Sequence, residues 1–520
     1  MIHKMKASRK KLKADIATDI LLNAYRLMCT AKRMAELYDE NREVCRYVHS
    51  TSRGHEAIQL AAGMQLTPSD YASLYYRDES MLLGMGLEPY ELMLQLIARR
   101  DDPFTGGRSY YGHPSLRREG FPTIPHQSAA TGMQAIPATG MAQAIAYLEG
   151  RGLLNSTAGW KPVVLCSMGD GAVTEGEVSE AFQMAVLKKL PILYLIQDND
   201  WGISATGKEM RAMDAYEYAG GFKGLERMAV DGADFVDAWL GLKKAIEYVR
   251  RKRQPILVHA TCPLLGHHTS GVRKEWYRED LEAHQKLDPV MKLRETLLDG
   301  GITEAELQLL EIQGGQTAEG DFQRAVAAPD HDVREFVAHE FAETPVTGES
   351  GERSPDRGQK VTMVDAALHA VDDILRKHPE ALFYGQDVGR RLGGVFREAA
   401  TLAQKYGDDR VFNTPIQEAY IVGSTVGMSA VGVKPIVEIQ FADYLWPAFN
   451  QLVVELAKSC FLSAGKFPVQ SLIRVPIGAY GGGGPYHSAS IESTLLTIRG
   501  IKVVYPSNAA DMKGLLKASF

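Results

Sequence analysis

The sequence predicts an α/β fold made of two doubly wound parallel-sheet domains joined by a flexible linker. Three observations predict it. Continuous apolar runs such as Val163-Val164-Leu165-Cys166 alternate with stretches of helical period, as parallel strands covered on both faces alternate with their crossover helices. The 520 residues exceed what one hydrophobic core usually fills. Residues 342–359, AETPVTGESGERSPDRGQ, are rich in Pro, Gly, Ser and charge, a composition that packs no core. The predicted limits are 1–341 for the first domain, 342–359 for the linker and 360–520 for the second.

In chain order, residues 15–100 read as helical, with apolar positions three and four apart in ILLNAYRLM and ELMLQLIA. The segment ATGMQAIPATGMAQAIAYL is made of small residues, which admit close approach of either a ligand or a packed helix. The run at Val163–Cys166 is a strand, followed by a helix over Glu177–Lys189 and a strand over Ile192–Ile196. A helix over Phe235–Arg253 and a strand over Ile256–Ala260 complete a second unit. Beyond the linker, VTMVDAALHAVDDILRKHP is a helix, with Thr362 at its start and Pro379 past its end. ALFYGQDV, KPIVEIQF and SLIRVPIG are strands, and the chain stops at Phe520 inside a helical pattern, as a truncated domain would.

Composition is that of an ordinary globular chain: 45% hydrophobic, 23% charged, net charge −6. That balance argues against a nucleic-acid partner, which needs a basic face. The five cysteines are dispersed with no CxxC pair, so a reducing compartment is expected rather than a disulfide framework. No apolar run would span a bilayer. The basic start MIHKMKASRKKLK leads into a polar helical pattern, so it is read as a solvated helix end rather than a secretory or transit signal, and the cytoplasm as the location.

Two short segments carry chemistry. Gly169-Asp170-Gly171 ends an apolar strand, and Asn199 ends the next. Ligands of doubly wound sheets bind at such strand ends. A carboxylate and an amide oxygen there suit Mg²⁺, which prefers oxygen ligands and usually shares them with phosphates. The helix after Gly171 could offer its N-terminal amides to a diphosphate. Taken alone, Asp170 could equally cap that helix. A dinucleotide GxGxxG motif fits poorly, because Thr174 stands at the third glycine position and Gly176 comes two residues late. Far downstream, Gln417-Glu418 precedes an apolar helical run, and Glu418 reads as a carboxylate kept for proton work on a cofactor ring.

LCSMGDGAVTEGEVSEAFQMAVLKKLPILYLIQDNDWGIS resembles the diphosphate-binding stretch of alpha chains in the thiamine diphosphate-dependent 2-oxo acid dehydrogenase family. VFNTPIQEAYIVGSTVGMSAVGVKPIVEIQFADYLWPAFNQ resembles its beta chains, so the two chains look fused, without the further C-terminal domain of beta chains. The resemblance implies two thiamine diphosphate-binding domains, with Asp170, Asn199 and the Trp201 carbonyl on Mg²⁺. Tyr76-Arg77, with the Gly169–Gly171 turn, would contact the diphosphate. Glu418 would hydrogen-bond a pyrimidine nitrogen, with Gln440 and Tyr444 lining the pocket beside it. His268, in the GHH loop, and His487, in GAYGGGGPYHS, would be the proton donors to a lipoyl group. The family often has Arg and Asn where this chain has Gln197 and Asp198, so one cationic contact to the diphosphate is missing. Thr269 stands where animal relatives carry a regulatory phosphoserine, and no phosphorylation is inferred.

The implied reaction is oxidative decarboxylation of a 2-oxo acid, with acyl transfer to the lipoyl domain of a dihydrolipoyl acyltransferase in a multienzyme complex. EIQFADY resembles branched-chain enzymes, pointing to 3-methyl-2-oxobutanoate, with pyruvate or acetoin as the alternative. A non-catalytic assembly or binding fragment is the alternative of another class. An oligomer of at least two chains is expected.

Overall fold

The structure, a computed structural model, describes residues 16–154, 161–346, 348, 352 and 356–520. The basic start and part of the expected linker lie outside these residues. The described chain divides into two compact units. One holds the residues up to 132 and those of the stretch 156–336, and the other holds the 133–155 segment and the residues from 337 onward.

The first unit opens with helices α1 (Thr18–Glu40) and α2 (Glu56–Gly63), strand β1 (Tyr71–Ser73), and helices α3 (Glu79–Gly84) and α4 (Pro89–Leu96). Helix α5 (Ala135–Arg151) groups with the second unit. The first unit resumes with β2 (Val164–Gly169), α6 (Gly176–Lys188), β3 (Ile192–Asp198), β4 (Glu226–Asp231), α7 (Phe235–Lys252) and β5 (Ile256–Thr261). Its sheet is parallel throughout, in the order β1-β2-β3-β5-β4. Strands β2, β3 and β5 are buried along almost their whole length, which is why each reads as an unbroken apolar run. Helix α7 shows its boundaries in sequence: Asp234 caps its first amides, and Arg250, Arg251 and Lys252 fill its last turn, where cations offset the helix dipole.

The expectation of an all-helical stretch over 15–100 is corrected by β1, three residues paired to β2 through Tyr71 and Val164. A strand that short has no period to read, and the backbone leaves it directly into Tyr76-Arg77. β4 was also not expected, because this edge strand is mostly exposed and carries Glu226, Arg227 and Asp231.

The second unit contains α5, α8 (Met363–Lys377), β6 (Ala381–Gly385), β7 (Val411–Asn413), α9 (Glu418–Val431), β8 (Lys434–Glu438), β9 (Leu472–Arg474) and α10 (Ala509–Ser519). Its sheet is parallel, in the order β9-β8-β6-β7. Thr362 caps α8 by accepting the Asp365 amide at 3.1 Å, and Ala366, Ala370, Val371 and Ile374 form its buried face. The small-residue segment proves to be a packing surface. A Cβ on Gly140 of α5 would lie 2.3 Å from the Ser424 carbonyl oxygen of α9, and one on Gly427 of α9 would lie 1.8 Å from the Pro137 carbonyl oxygen of α5. The two helices approach backbone to backbone, as only glycine allows.

His113 is one of the buried histidines that make the first unit acid-sensitive. His113 is enclosed, its Nδ1 donating to the Tyr111 carbonyl at 3.1 Å, and burial pushes its pKa down to about 4. Below the ordinary histidine value the unfolded chain takes up a proton that the folded chain refuses until about pH 4. The His113 contribution to stability therefore falls as pH drops through that window, by about 1.4 kcal/mol per pH unit at most. Urea unfolding at stepped pH should show a slope to which His113 contributes, and His113→Gln should reduce it, with His55 and His268 supplying the remainder. An unchanged slope in the variant would remove His113 as a cause.

Candidate active site

One candidate group lies at the carboxyl ends of β2 and β3, which run side by side with Gly169 opposite Gln197. Asp170 begins a 3-10 turn, Asp170–Thr174, and α6 starts only at Gly176. Asp170 is therefore not the cap of α6, and its helical amides begin later than the sequence suggested. The Asp170 carboxyl is buried, with the Asn199 backbone amide against it. Burial and the neighbouring Asp198 charge both raise its pKa, against the pull of Arg211. Asp198 is held low: burial acts upward, but His259 and Arg211 both donate to it and prevail. A buried carboxylate beside a second one is a place where a divalent cation would relieve repulsion.

Asn199 is fixed in orientation. Its Nδ2 donates to His55 Nε2 at 3.1 Å, and its Oδ1 accepts the Trp201 amide at 3.0 Å. The second lone pair of Oδ1 remains for a cation. The Trp201 carbonyl faces the His268 ring. Among the described residues no cluster of three or more His, Cys, Asp or Glu is set to hold a metal, so a cation here would draw on amide, carbonyl and ligand oxygens as well.

Arg77 follows β1 and is among the largest fully buried side chains. Its guanidinium donates to the Thr51 and His268 carbonyls at 3.3 and 3.2 Å and lies over the Tyr76 ring. Its Nε has no hydrogen-bond partner, and no carboxylate pairs with it among the described residues. A buried guanidinium without a direct ion pair gains from an anion that joins it. Beside it, burial and the Arg77 charge push His268 down to about 3, so this imidazole is neutral at physiological pH.

A separate candidate group lies in the second unit. Glu418 is the first residue of α9 and is half-buried. Its Oε1 accepts from Gln386 Nε2 at 2.8 Å, just past β6. Next to it, Gln440 Nε2 donates to Asp387 at 2.7 Å. His487 donates through Nδ1 to the Gly483 carbonyl at 3.0 Å, so its Nε2 accepts the Tyr444 hydroxyl at 2.8 Å. Phe441 packs edge-on against the imidazole, with ring centroids 4.7 Å apart. Gly482 and Gly484 take positive φ in the loop before it, a conformation natural to glycine.

Residues 25–334, more than half of the chain, match the family model of the Dehydrogenase E1 component. The chain belongs to the dehydrogenase E1 component family. Residues 359–520 match the pyrimidine binding domain of transketolase, so an alpha-type and a beta-type E1 domain stand in one chain. Three similar relatives carry the name of beta subunits. The chain is 49% identical over 162 residues to the mitochondrial 2-oxoisovalerate dehydrogenase subunit beta of Dictyostelium discoideum, covering 31% of this chain and 43% of the relative. It is 46% identical over 158 residues to the 2-oxoisovalerate dehydrogenase subunit beta of Pseudomonas aeruginosa, covering 30% and 45%. It is 42% identical over 159 residues to the pyruvate dehydrogenase E1 component subunit beta of Acholeplasma laidlawii, covering 31% and 48%. The chain thus spans less than half the length of each of these relatives.

In this E1 chain the alpha-type unit brings Asp170, Asn199, Trp201, Arg77 and His268 together, and the beta-type unit brings Tyr444 to His487. The side chains that organise the first group were not legible. His55, on the turn before α2, links Asn199 to Gln197, donating through Nδ1 to Gln197 Oε1 at 2.8 Å. Gln59 of α2 donates to the same oxygen at 2.9 Å. Four residues separate His55 and Gln59, so helical spacing places them on one face. That spacing was the available signal. Arg211 and His259 had none: each is a lone residue far from the motif it serves.

Proposed function

We propose that this E1 chain carries out oxidative decarboxylation of a branched-chain 2-oxo acid such as 3-methyl-2-oxobutanoate. The acyl group would pass to the lipoyl domain of a dihydrolipoyl acyltransferase. The observation that carries the reading is the buried Arg77 guanidinium, without a carboxylate partner among the described residues, in the unit that sets Asp170 and Asn199 at adjacent strand ends. That is the donor set a metal-bound diphosphate requires. Asp170, Asn199 and the Trp201 carbonyl would hold Mg²⁺. Tyr76, Arg77 and the Gly169–Gly171 turn would face the diphosphate. Thiamine diphosphate, when bound, supplies a thiazolium that takes up the electrons left as carbon dioxide departs.

The chain's own residues orient and move protons. Gln386 fixes one Glu418 oxygen, leaving the other to share a proton with a pyrimidine nitrogen. Gln440 and Tyr444 line that pocket. His487, its ring positioned by Tyr444, and His268 would be the proton donors to the lipoyl sulfur. A second copy of the chain completes the assembly, in a cytoplasmic setting.

Dye-coupled decarboxylation with thiamine diphosphate and Mg²⁺, comparing 3-methyl-2-oxobutanoate with pyruvate, tests the reading. Faster turnover of the branched acid is expected. The pyruvate dehydrogenase relative favours a second reading, and faster pyruvate turnover would establish it; the two acids differ by two carbons, each worth only about 1–3 kcal/mol of selectivity. Cofactor binding without turnover of either acid would mark a non-catalytic assembly chain. Tyr444→Phe should slow acyl transfer to a lipoyl domain by about tenfold or more and leave dye-coupled decarboxylation near wild type. Equal losses in both assays would refute the positioning role of Tyr444.

A further inference from the structure

We infer that Arg211 is the second guanidinium of the diphosphate site, supplying the cation that position 197 lacks and reaching the diphosphate when a divalent ion takes Asp170 from it. The inference rests on the diphosphate and Mg²⁺ reading above.

Position 197 cannot serve. Gln197 is fully buried and neutral, and both ends of its amide are used. Its Oε1 accepts from His55 and Gln59, and its Nε2 donates to Asp78 at 2.7 Å and Ser167 at 2.9 Å. The side chain serves a buried network and has no hydrogen-bonding capacity left for a ligand. Asp198 beside it adds an anion to the site. Arg77 is already held through both terminal nitrogens on backbone carbonyls, so it brings one guanidinium to the site and position 197 brings no second.

Arg211 is differently placed. It ends the short turn after Gly207, and its Nη1 donates to Asp170 at 2.6 Å. Its Nη2 donates to Asp198 at 2.9 Å and to Asp200 at 3.1 Å. Three carboxylates therefore share one guanidinium, an arrangement with surplus negative charge. Gly207 makes room for it: a Cβ there would sit 2.8 Å from Arg211 Nη2 and 2.0 Å from an Asp200 oxygen. A divalent ion on Asp170 replaces the Nη1 contact while Asp198 keeps Nη2. Nη1 is then a free donor beside the ion, on a side chain long enough to turn toward the phosphate oxygens that share that ion. Metal arrival and diphosphate capture become one linked event.

The test is binding of thiamine diphosphate and of unphosphorylated thiamine, at saturating Mg²⁺, to the whole chain by calorimetry. Arg211→Gln should weaken thiamine diphosphate by about ten- to a hundredfold, the worth of one charge-assisted hydrogen bond, and leave thiamine unchanged. Arg211→Lys should recover part of the loss, and it carries the test if the Gln variant fails to fold. Unchanged thiamine diphosphate affinity in Arg211→Gln overturns the inference. So does an equal loss for both ligands, which marks a structural role. Full recovery in Asp198→Asn/Arg211→Gln also overturns it, since Arg211 would then only offset Asp198. Failure of the wild-type chain to bind thiamine diphosphate overturns the function reading itself, and this inference with it.

Discussion

Glu418→Gln should leave a folded chain whose decarboxylation rate has fallen by about 10²- to 10⁴-fold, the usual worth of a positioned acid–base group. The substitution is close to isosteric. It keeps an oxygen able to accept from Gln386 Nε2, at the place where Glu418 Oε1 now accepts at 2.8 Å, and it keeps the helix start. It removes the group that can share a proton. Decarboxylation of 3-methyl-2-oxobutanoate with a dye acceptor measures the loss, with circular dichroism and thiamine diphosphate titration as controls. A variant that folds, binds the cofactor and turns over within about threefold of wild type would remove Glu418 from the chemistry, because ordinary packing effects could explain so small a change. Loss of cofactor affinity alone would assign Glu418 to binding.

How much of this was legible follows from how each feature is encoded. Strands β2, β3 and β5 were readable because burial on both faces demands an apolar residue at nearly every position. The candidate pair Asp170 and Asn199 was readable because each stands at the end of such a run, where doubly wound sheets bind ligands. β1 and β7 span three residues each, too few for any pattern. Arg211 and His259 are joined to Asp198 only by folding, so no local spacing announces them. Tyr444 and His487 were both singled out, but the hydrogen bond between them joins residues 43 apart in sequence. The departure at Gln197 was visible as a missing charge. Its reason was not, since it lies in a buried network with His55, Gln59, Asp78 and Ser167. The small residues of α5 left ligand and helix both open, and the structure resolves this in favour of the helix.

That resolution carries the largest expected effect on stability. Gly427→Ala should destabilise the second unit by about 3 kcal/mol or more, the upper range for overpacking. The new methyl would begin 1.8 Å from the Pro137 carbonyl oxygen and 2.7 Å from the Met141 amide nitrogen. Both obstacles are backbone, so no rotamer change relieves them, and α5 and α9 must separate. Separation would also strip contacts from Tyr420, whose hydroxyl donates to Gln143 of α5. In a domain of this size the loss corresponds to a fall of about 6–12 °C in Tm. Gly150→Ala provides the opposite expectation on the same helix. It lies within α5 with nothing within 4 Å of its would-be Cβ, so alanine should stabilise by about 0.5–1 kcal/mol through helix propensity. Thermal melts of the two variants, read against wild type, therefore separate contact from propensity. If Gly427→Ala melts with wild type, the backbone approach of α5 to α9 is not what holds residues 135–151 in the second unit. If it falls while Gly150→Ala rises, the E1 chain's beta-type unit depends on a helix drawn from more than two hundred residues upstream, and a cut at the linker would part that unit from its own helix α5.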